Sequence, residues 1–422
     1  MPVAGDAGCE TCVRRVPRAL KRRKMSELMN ETLARLGDWS GRKVVVAMSG
    51  GVDSAVAAAL LHRAGAEVIG VHMRTWHYKG CEANDGLATC CSPADARDAR
   101  RVADQFGFPF YAMDFQVNFR QAVIEPFIRD YLDGRTPNPC VQCNNKLKLG
   151  SLLAKGGAYG AEAVATGHYG QIVTNERTGR HELRVGGDGE KDQTYYLFGL
   201  TQPQLARMLM PVGHLSKPQV RALAEELGLH LHAKRDSVEI CFVTDNDYRR
   251  FLREEGAVDE ARLAGAIVST RGAVLGRHAG VHCFTIGQRK GLGLAAPRPL
   301  YVVDLLPETQ TVVVGYEEDL LAEGLEMDGV NWVAREPSRE PFRALVKIRY
   351  RSPGYAATVE PDPEDLSRAR VLFDAPQRAV TPGQAAVAYD APAGRTVLAG
   401  GWIRRRVMKE PAPGESGESG AR

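Results

Sequence analysis

What this chain lacks narrows its class before any motif is read. No stretch holds the ~20 consecutive apolar residues that cross a bilayer, and no secretory pattern opens the chain, so no membrane partner is expected. Cysteine is sparse and odd in number, nine in 422 residues. That excludes a disulfide scaffold and leads us to expect a reducing, cytoplasmic setting where a special cysteine is reactive or binds metal. No strong excess of one charge exists: 55 basic side chains face 51 acidic ones, for a net charge of +4. Such a balance permits a nucleic-acid partner without demanding one. The G-x-x-x-x-G-K-[ST] phosphate loop is absent, and so is any internal repeat, which sets aside a solenoid.

What is present suggests two to three domains, the number this length ordinarily divides into. The first 41 residues, with the pair Cys9 and Cys12 and the basic run "RRVPRALKRRK", read as a disordered N-terminal extension with a solvated charge cluster; Met25 offers an alternative start. Order is expected from "RKVVVAMSGGVDSAVAAALLHRAGAEVIGVHM", where a β-branched run, a Gly-rich turn, an Ala/Leu-rich helix and a second apolar strand make a βαβ unit. Further strand and helix patterns follow, predicting a doubly wound parallel sheet over 42–248. From about residue 265 short β-rich segments punctuated by Gly and Pro predict a small central domain (249–310) and a β-barrel-like domain (311–406). The tail 407–422 is low in complexity and expected to be disordered.

The hexapeptide "SGGVDS", Ser49 to Ser54, sits between the first strand and helix. Glycines there let backbone N–H groups approach an anion, and the helix N-terminus adds partial positive charge. Two serines offer hydroxyls, and Asp53 is the acid expected to hold Mg²⁺ against a pyrophosphate. The hexapeptide resembles the pyrophosphate loop of the N-type ATP pyrophosphatases, which adenylate a carbonyl oxygen. The loop names the activation step but not the acceptor.

Cysteines sharpen the choice. Cys140 and Cys143 form a C-x-x-C in "TPNPCVQCNNKLKLG", which alone reads equally as a zinc half-site, a redox pair, cluster ligands or a nucleophile with a helper. Cys241 follows in "DSVEICFV". Once an oxygen is adenylated, sulfur can displace AMP, provided one cysteine carries a persulfide and a second thiol frees the sulfur.

"VAMSGGVDS", "TPNPCVQCN", "ATGHY", "KDQTYYLFGL", "DSVEICFV", "FTIGQRKGLG", "KIRYRSP" and "AVTPGQAAV" occur in one order from about Lys43 to Ile403. In this the chain resembles the tRNA-specific 2-thiouridylase (MnmA) family. The resemblance implies an adenine-nucleotide-hydrolase-like α/β domain and thiolation of C2 of the tRNA wobble uridine. It also implies ATP as co-substrate and a sulfur-relay or cysteine desulfurase protein as donor. By motif, Ala47, Met48, Ser49, Gly50, Gly51, Val52, Asp53, Ser54, Met73 and Gly167 would line the ATP site. Cys143 would be the nucleophile and Cys241 the persulfide carrier. Asn138, Pro139 and Cys140 would face the target base, and His168, Lys191, Asp192, Gln193, Arg349, Tyr350 and Gln384 would touch tRNA. Arg349 and Arg351 around Tyr350 suit phosphate contacts and base stacking. Some relatives have aspartate where this chain has Cys140. The three thiols Cys140, Cys143 and Cys241 therefore also match an iron–sulfur cluster with one open iron site, and persulfide relay and cluster-assisted transfer both stand. Cys81, Cys90 and Cys91 read as loop thiols and Cys283 as a core or strand residue.

Overall fold

The computed structural model describes residues 18–76, 92–234, 240–243, 245–258 and 263–408, with side chains described from residue 27. Cys9, Cys12, Cys81, Cys90, Cys91 and the tail from 409 lie outside the described residues.

The run Val44 to Val46 becomes the middle of β1 (Lys43–Ala47), where all three side chains are fully buried. Burial on both faces is what a strand covered by helices on either side requires. Beside it lie β2 (Glu67–Arg74), β3 (Phe110–Asp114), β4 (Ala163–Ala165) and, after the hairpin of β5 (Gly170–Thr174) and β6 (His181–Val185), β7 (Met208–Leu209). The parallel order is β3-β2-β1-β4-β7. Chain direction across the sheet reverses between β1 and β4, so a ligand crevice is expected outside their carboxyl ends. The turns after those two strands carry "SGGVDS" and "ATGHY".

The N-terminal segment departs from expectation. Helix α1 (Arg18–Leu36) buries Met29 and Thr32 and packs Leu28, Leu33 and Leu36 against the same core as α2 (Val52–Arg63). Residues 29, 33 and 36 share one helical face, so half of the expected extension is part of the folded domain. Helix α3 (Pro93–Phe106) starts at a reciprocal cap between Ser92 and Asp95.

In the middle unit β8 (Gly265–Ser269), β9 (Val274–His278), β10 (Tyr301–Leu306) and β11 (Thr311–Gly315) form a sheet ordered β10-β11-β8-β9. Because β11 pairs with both β8 and β10, this unit extends past the expected border at 310. Cys283 sits half-buried in a short 3₁₀ turn, Val281–Cys283, rather than in a strand. The C-terminal unit closes β12 (Leu321–Trp332), β13 (Phe342–Lys347), β14 (Tyr355–Pro361), β15 (Ala369–Arg378), β16 (Ala385–Asp390) and β17 (Val397–Val407) into a barrel ordered β12-β15-β14-β13-β16-β17. Closure leaves no unpaired edge.

Candidate active site

The phosphate loop is held from inside and outside. Ser54 Oγ accepts from the Ser49 backbone N–H (3.2 Å), lies 3.3 Å from Ser49 Oγ and donates to the Gly51 carbonyl (3.1 Å). Gly50 has φ +75°, and a side chain there would meet the Asp95 carbonyl oxygen at 2.3 Å, so only glycine fits this close approach. Lys234 Nζ donates to the Gly50 carbonyl (3.0 Å), Asp95 Oδ1 (2.7 Å) and Asp98 Oδ2 (2.6 Å). A trans peptide points its C=O and N–H in opposite directions. By anchoring the Gly50 carbonyl, Lys234 therefore turns the Gly51 N–H the other way. Ala47 ends β1, Val52 opens α2, and Met48 and Met73 are buried. The Met48 carbonyl pairs with His72 Nδ1 at 2.9 Å. Gly167 completes the crevice: a side chain there would reach the Ser54 nitrogen at 2.5 Å, so the ATGHY turn lies flat on the start of α2.

Asp53 differs from expectation. Its carboxylate accepts from Lys217 Nζ at 2.8 Å and 2.7 Å and from the Tyr169 hydroxyl at 2.7 Å. An ammonium already neutralises the oxygens expected to hold Mg²⁺, so the residues present do not fit a magnesium site built on Asp53. Sequence reading missed Lys217 and Tyr169, because a lysine opening a helix and a tyrosine after "ATGH" carry no local signal.

The cysteine stretch is helical and capped. Asn138 caps the helical turn Pro139–Gln142, its Oδ1 accepting from the Val141 N–H at 3.3 Å. Cys143 begins a π-helical stretch, Cys143–Ser151, the wide-turn geometry frequently found at functional sites. Cys140 is exposed, Cys143 is buried and Cys241 is half-buried. Cys143 belongs to, and Cys241 packs against, one hydrophobic cluster. Among the described residues, no group of three or more His, Cys, Asp and Glu side chains is arranged to hold a metal. Cys140, Cys143 and Cys241 do not form such a group in this structure. An exposed thiol and a buried one three residues along a helix face different surroundings.

Asn144, next to Cys143, binds His168 of the ATGHY turn: Nε2 lies 3.2 Å from Asn144 Oδ1, and Nδ1 lies 2.9 Å from Thr166 Oγ1. Burial and the nearby Lys148 charge push the imidazole pKa down to about 3, so it is neutral and serves as a hydrogen-bond bridge.

The barrel supplies the opposite wall. Gln384 Nε2 donates to the carbonyls of Thr136 (3.0 Å) and Pro137 (3.1 Å), and its Oε1 accepts from Asn138 Nδ2 at 3.4 Å. The Thr136 N–H donates to the Pro382 carbonyl at 2.9 Å. Tyr350 stacks obliquely on Tyr196, centroids 4.6 Å apart, and burial raises the pKa of the Tyr196 phenol, with Cys140 beside it adding to the effect. Arg349 spends one guanidinium nitrogen on the Arg378 carbonyl at 2.9 Å. The expected RNA contacts Lys191, Asp192 and Gln193 divide. Asp192 is buried, its oxygens accepting from the Gly186 and Thr194 N–H groups and the Thr194 hydroxyl. Gln193 exchanges hydrogen bonds with the Tyr169 backbone at 2.9 Å and 2.8 Å. These partners take up both side chains, and the Tyr350 phenol, raised by burial, feels the charges of both Asp192 and Lys191.

Family models match the chain in three consecutive pieces. Residues 42–245 match the tRNA methyl transferase HUP domain, 249–316 the tRNA methyl transferase PRC-barrel domain, and 322–403 the aminomethyltransferase beta-barrel domain. The tRNA-specific 2-thiouridylase MnmA of Solibacter usitatus (strain Ellin6076) is 50% identical over 372 residues, covering 85% of this chain and 98% of its own length. The chain belongs to the MnmA family. A second MnmA, from Geobacter metallireducens (strain ATCC 53774 / DSM 7210 / GS-15), is 49% identical over 364 residues, covering 86% of this chain and 96% of its own. MnmA likeness therefore spans all three units, and the middle match ends at residue 316, where the β10–β11 pairing also places the border.

Proposed function

We propose that this chain thiolates C2 of the tRNA wobble uridine at the expense of ATP, a reading that starts from relatives named tRNA-specific 2-thiouridylases. One observation carries the reading: the His168–Asn144 bridge. It joins the neighbour of Cys143 to the neighbour of Gly167, and Gly167 lies against the backbone of Asp53 and Ser54. A thiol and a phosphate loop are thereby tied together through one pair of side chains.

In the proposed sequence the uridine C2 oxygen attacks the α-phosphorus of ATP and pyrophosphate leaves. The backbone N–H groups of the Ser49–Ser54 loop and the α2 N-terminus receive the phosphates. The terminal sulfur of a Cys241 persulfide attacks C2, the C2–O bond breaks and AMP departs. The Cys143 thiolate then attacks Cys241 Sγ, which breaks the S–S bond, releases 2-thiouridine and leaves a Cys143–Cys241 disulfide. A thiol reductant returns that disulfide to two thiols with two electrons, and a sulfur-relay or cysteine desulfurase protein reloads Cys241. The uridine, turned out of its stack, would sit near Asn138, Cys140 and Gln384, with the Tyr196–Tyr350 pair as a stacking surface.

The test incubates the protein with ATP, Mg²⁺, a persulfide donor and unmodified tRNA and reads nucleosides by mass spectrometry. We expect 2-thiouridine, and its loss of at least a hundredfold in Cys143→Ser and Cys241→Ser with ATP binding retained. No thiolated nucleoside beside a working control, or full activity in either variant, sinks the reading.

A further inference from the structure

Two chains of contacts run from Asp53 to the same loop. One passes through Tyr169: its hydroxyl donates to Asp53 Oδ1 at 2.7 Å, and its backbone N–H and C=O bond Gln193 at 2.9 Å and 2.8 Å. The other passes through Lys217: Nζ donates to both Asp53 oxygens, while its backbone N–H donates to Asp188 Oδ2 at 2.9 Å. Asp188 Oδ1 in turn accepts from the N–H groups of Glu190 (3.2 Å) and Lys191 (3.3 Å). Loop 188–193 is therefore pinned at both ends to the backbones of the two residues whose side chains hold the phosphate-loop acid. Both anchors are buried: Tyr169 and Lys217 are 3% and 8% exposed. Beyond Gln193, Asp192 Oδ2 accepts from the Thr194 hydroxyl, which lies 3.0 Å from the Tyr389 hydroxyl of the barrel.

We propose that Tyr169 and Lys217 are positioning residues that couple loop 188–193 to the phosphate loop, so that tRNA engaging this loop and ATP at Ser49–Ser54 strengthen each other's binding. The inference rests on the proposed tRNA substrate. Displacing the loop tugs on both partners of Asp53, and Asp53 stands at the first turn of α2, whose N–H groups face the phosphates. A coupling of this kind is reciprocal: whatever factor tRNA adds to ATP affinity, ATP adds to tRNA affinity. Neither residue is assigned to touch substrate.

The experiment measures the Kd of a non-hydrolysable ATP analogue with and without saturating unmodified tRNA, and the Kd of tRNA with and without the analogue. In the unmodified protein we expect the two ratios to agree and to be about fivefold or more. In Tyr169→Phe both ratios fall toward one while each ligand still binds alone. Lys217→Met does the same, and Lys217→Arg restores part of the ratio. A ratio of one in the unmodified protein, or an unchanged ratio in folded Tyr169→Phe, overturns the coupling. If Lys217→Met does not fold, Tyr169→Phe, which keeps the ring and loses the hydrogen bond to Asp53, decides alone. Absence of any tRNA binding defeats the proposed substrate, a result distinct from tRNA that binds without changing ATP affinity.

Discussion

His168 shows how a single residue can be found by its motif and misread by its type. A histidine after a strand end invites an acid–base role, yet its two nitrogens are taken up by Thr166 and Asn144, and burial with Lys148 nearby drives its pKa to about 3. A histidine whose folded pKa lies below its unfolded value binds fewer protons when folded. Its contribution to stability is therefore complete above about pH 6.5 and is lost as pH falls toward 3. At pH 4 the loss has an upper bound of about 3 kcal/mol. Urea unfolding midpoints should thus drop more steeply between pH 6.5 and 4 in the unmodified protein than in His168→Gln. Parallel pH profiles for the two would show that the imidazole is not held neutral. The residues that hold the phosphate loop were the least legible. Lys217, Lys234 and Tyr169 lie far in sequence from the loop they hold, and in a one-dimensional reading a lysine is simply a solvated charge.

At the level of elements, the parallel strands and the phosphate loop were legible because each is written locally, as a β-branched run followed by glycines. Helix α1 was not, since the basic run "KRRK" just before Met25 hides the apolar face of residues 29, 33 and 36. Nor was the inward turn of Asp192 and Gln193, which depends on Gly186, Thr194 and Tyr169 meeting them from elsewhere. The clasp between residues 136–138 and 382–384 belongs to this scale. Gly383 (φ +90°) brings its backbone so close to Thr136 that a side chain would lie 2.7 Å from the Thr136 carbonyl oxygen. Gln384 then closes the contact with three hydrogen bonds. Gln384→Ala leaves two carbonyls and Asn138 without that partner, at a cost of about 1–3 kcal/mol. The turn that presents Cys140 loosens while the phosphate loop, on the far side of the sheet's crevice, keeps its own bonds. Single-turnover thiolation should fall about tenfold or more, a consequence of misplacing a reacting group, with ATP affinity within twofold of normal. An equal loss of ATP affinity would mean that the clasp supports the whole domain rather than the base-facing wall.

Across the whole molecule, the sequence pattern of three units hides an asymmetry in how they are joined. Ala385, Val387, Tyr389 and Val397 of the barrel are buried in the same hydrophobic cluster as Phe127, Cys143, Leu147, Tyr195 and Phe198 of the catalytic domain. The Tyr195 hydroxyl donates to the Ala385 carbonyl at 3.0 Å, and Gly400 lies so near Phe198 that a side chain would meet its ring at 2.7 Å. The barrel also holds a cluster around Leu325, Val346 and Val371, and the middle unit has one around Val281, Val302 and Val312 that takes in Ala379 of the barrel but no residue of the catalytic domain. The middle unit meets the catalytic domain through contacts such as Pro307 against Gly134. Elements that share buried contacts open together, whereas a unit whose core takes nothing from the catalytic domain can open without it. Hydrogen exchange should therefore protect β1, β16 and the barrel end of β17 to the same free energy, with β8 to β11 exchanging through a cheaper opening. Widening the shared contact is the decisive perturbation. Gly400→Val, which drives two methyls into Phe198, should cost about 1–3 kcal/mol by overpacking and lower protection in β1 and β16 equally while leaving β8 to β11 unchanged. If only the barrel loses protection, the two domains are separate folding units that merely touch, and the cysteine wall and the base-facing wall are set independently.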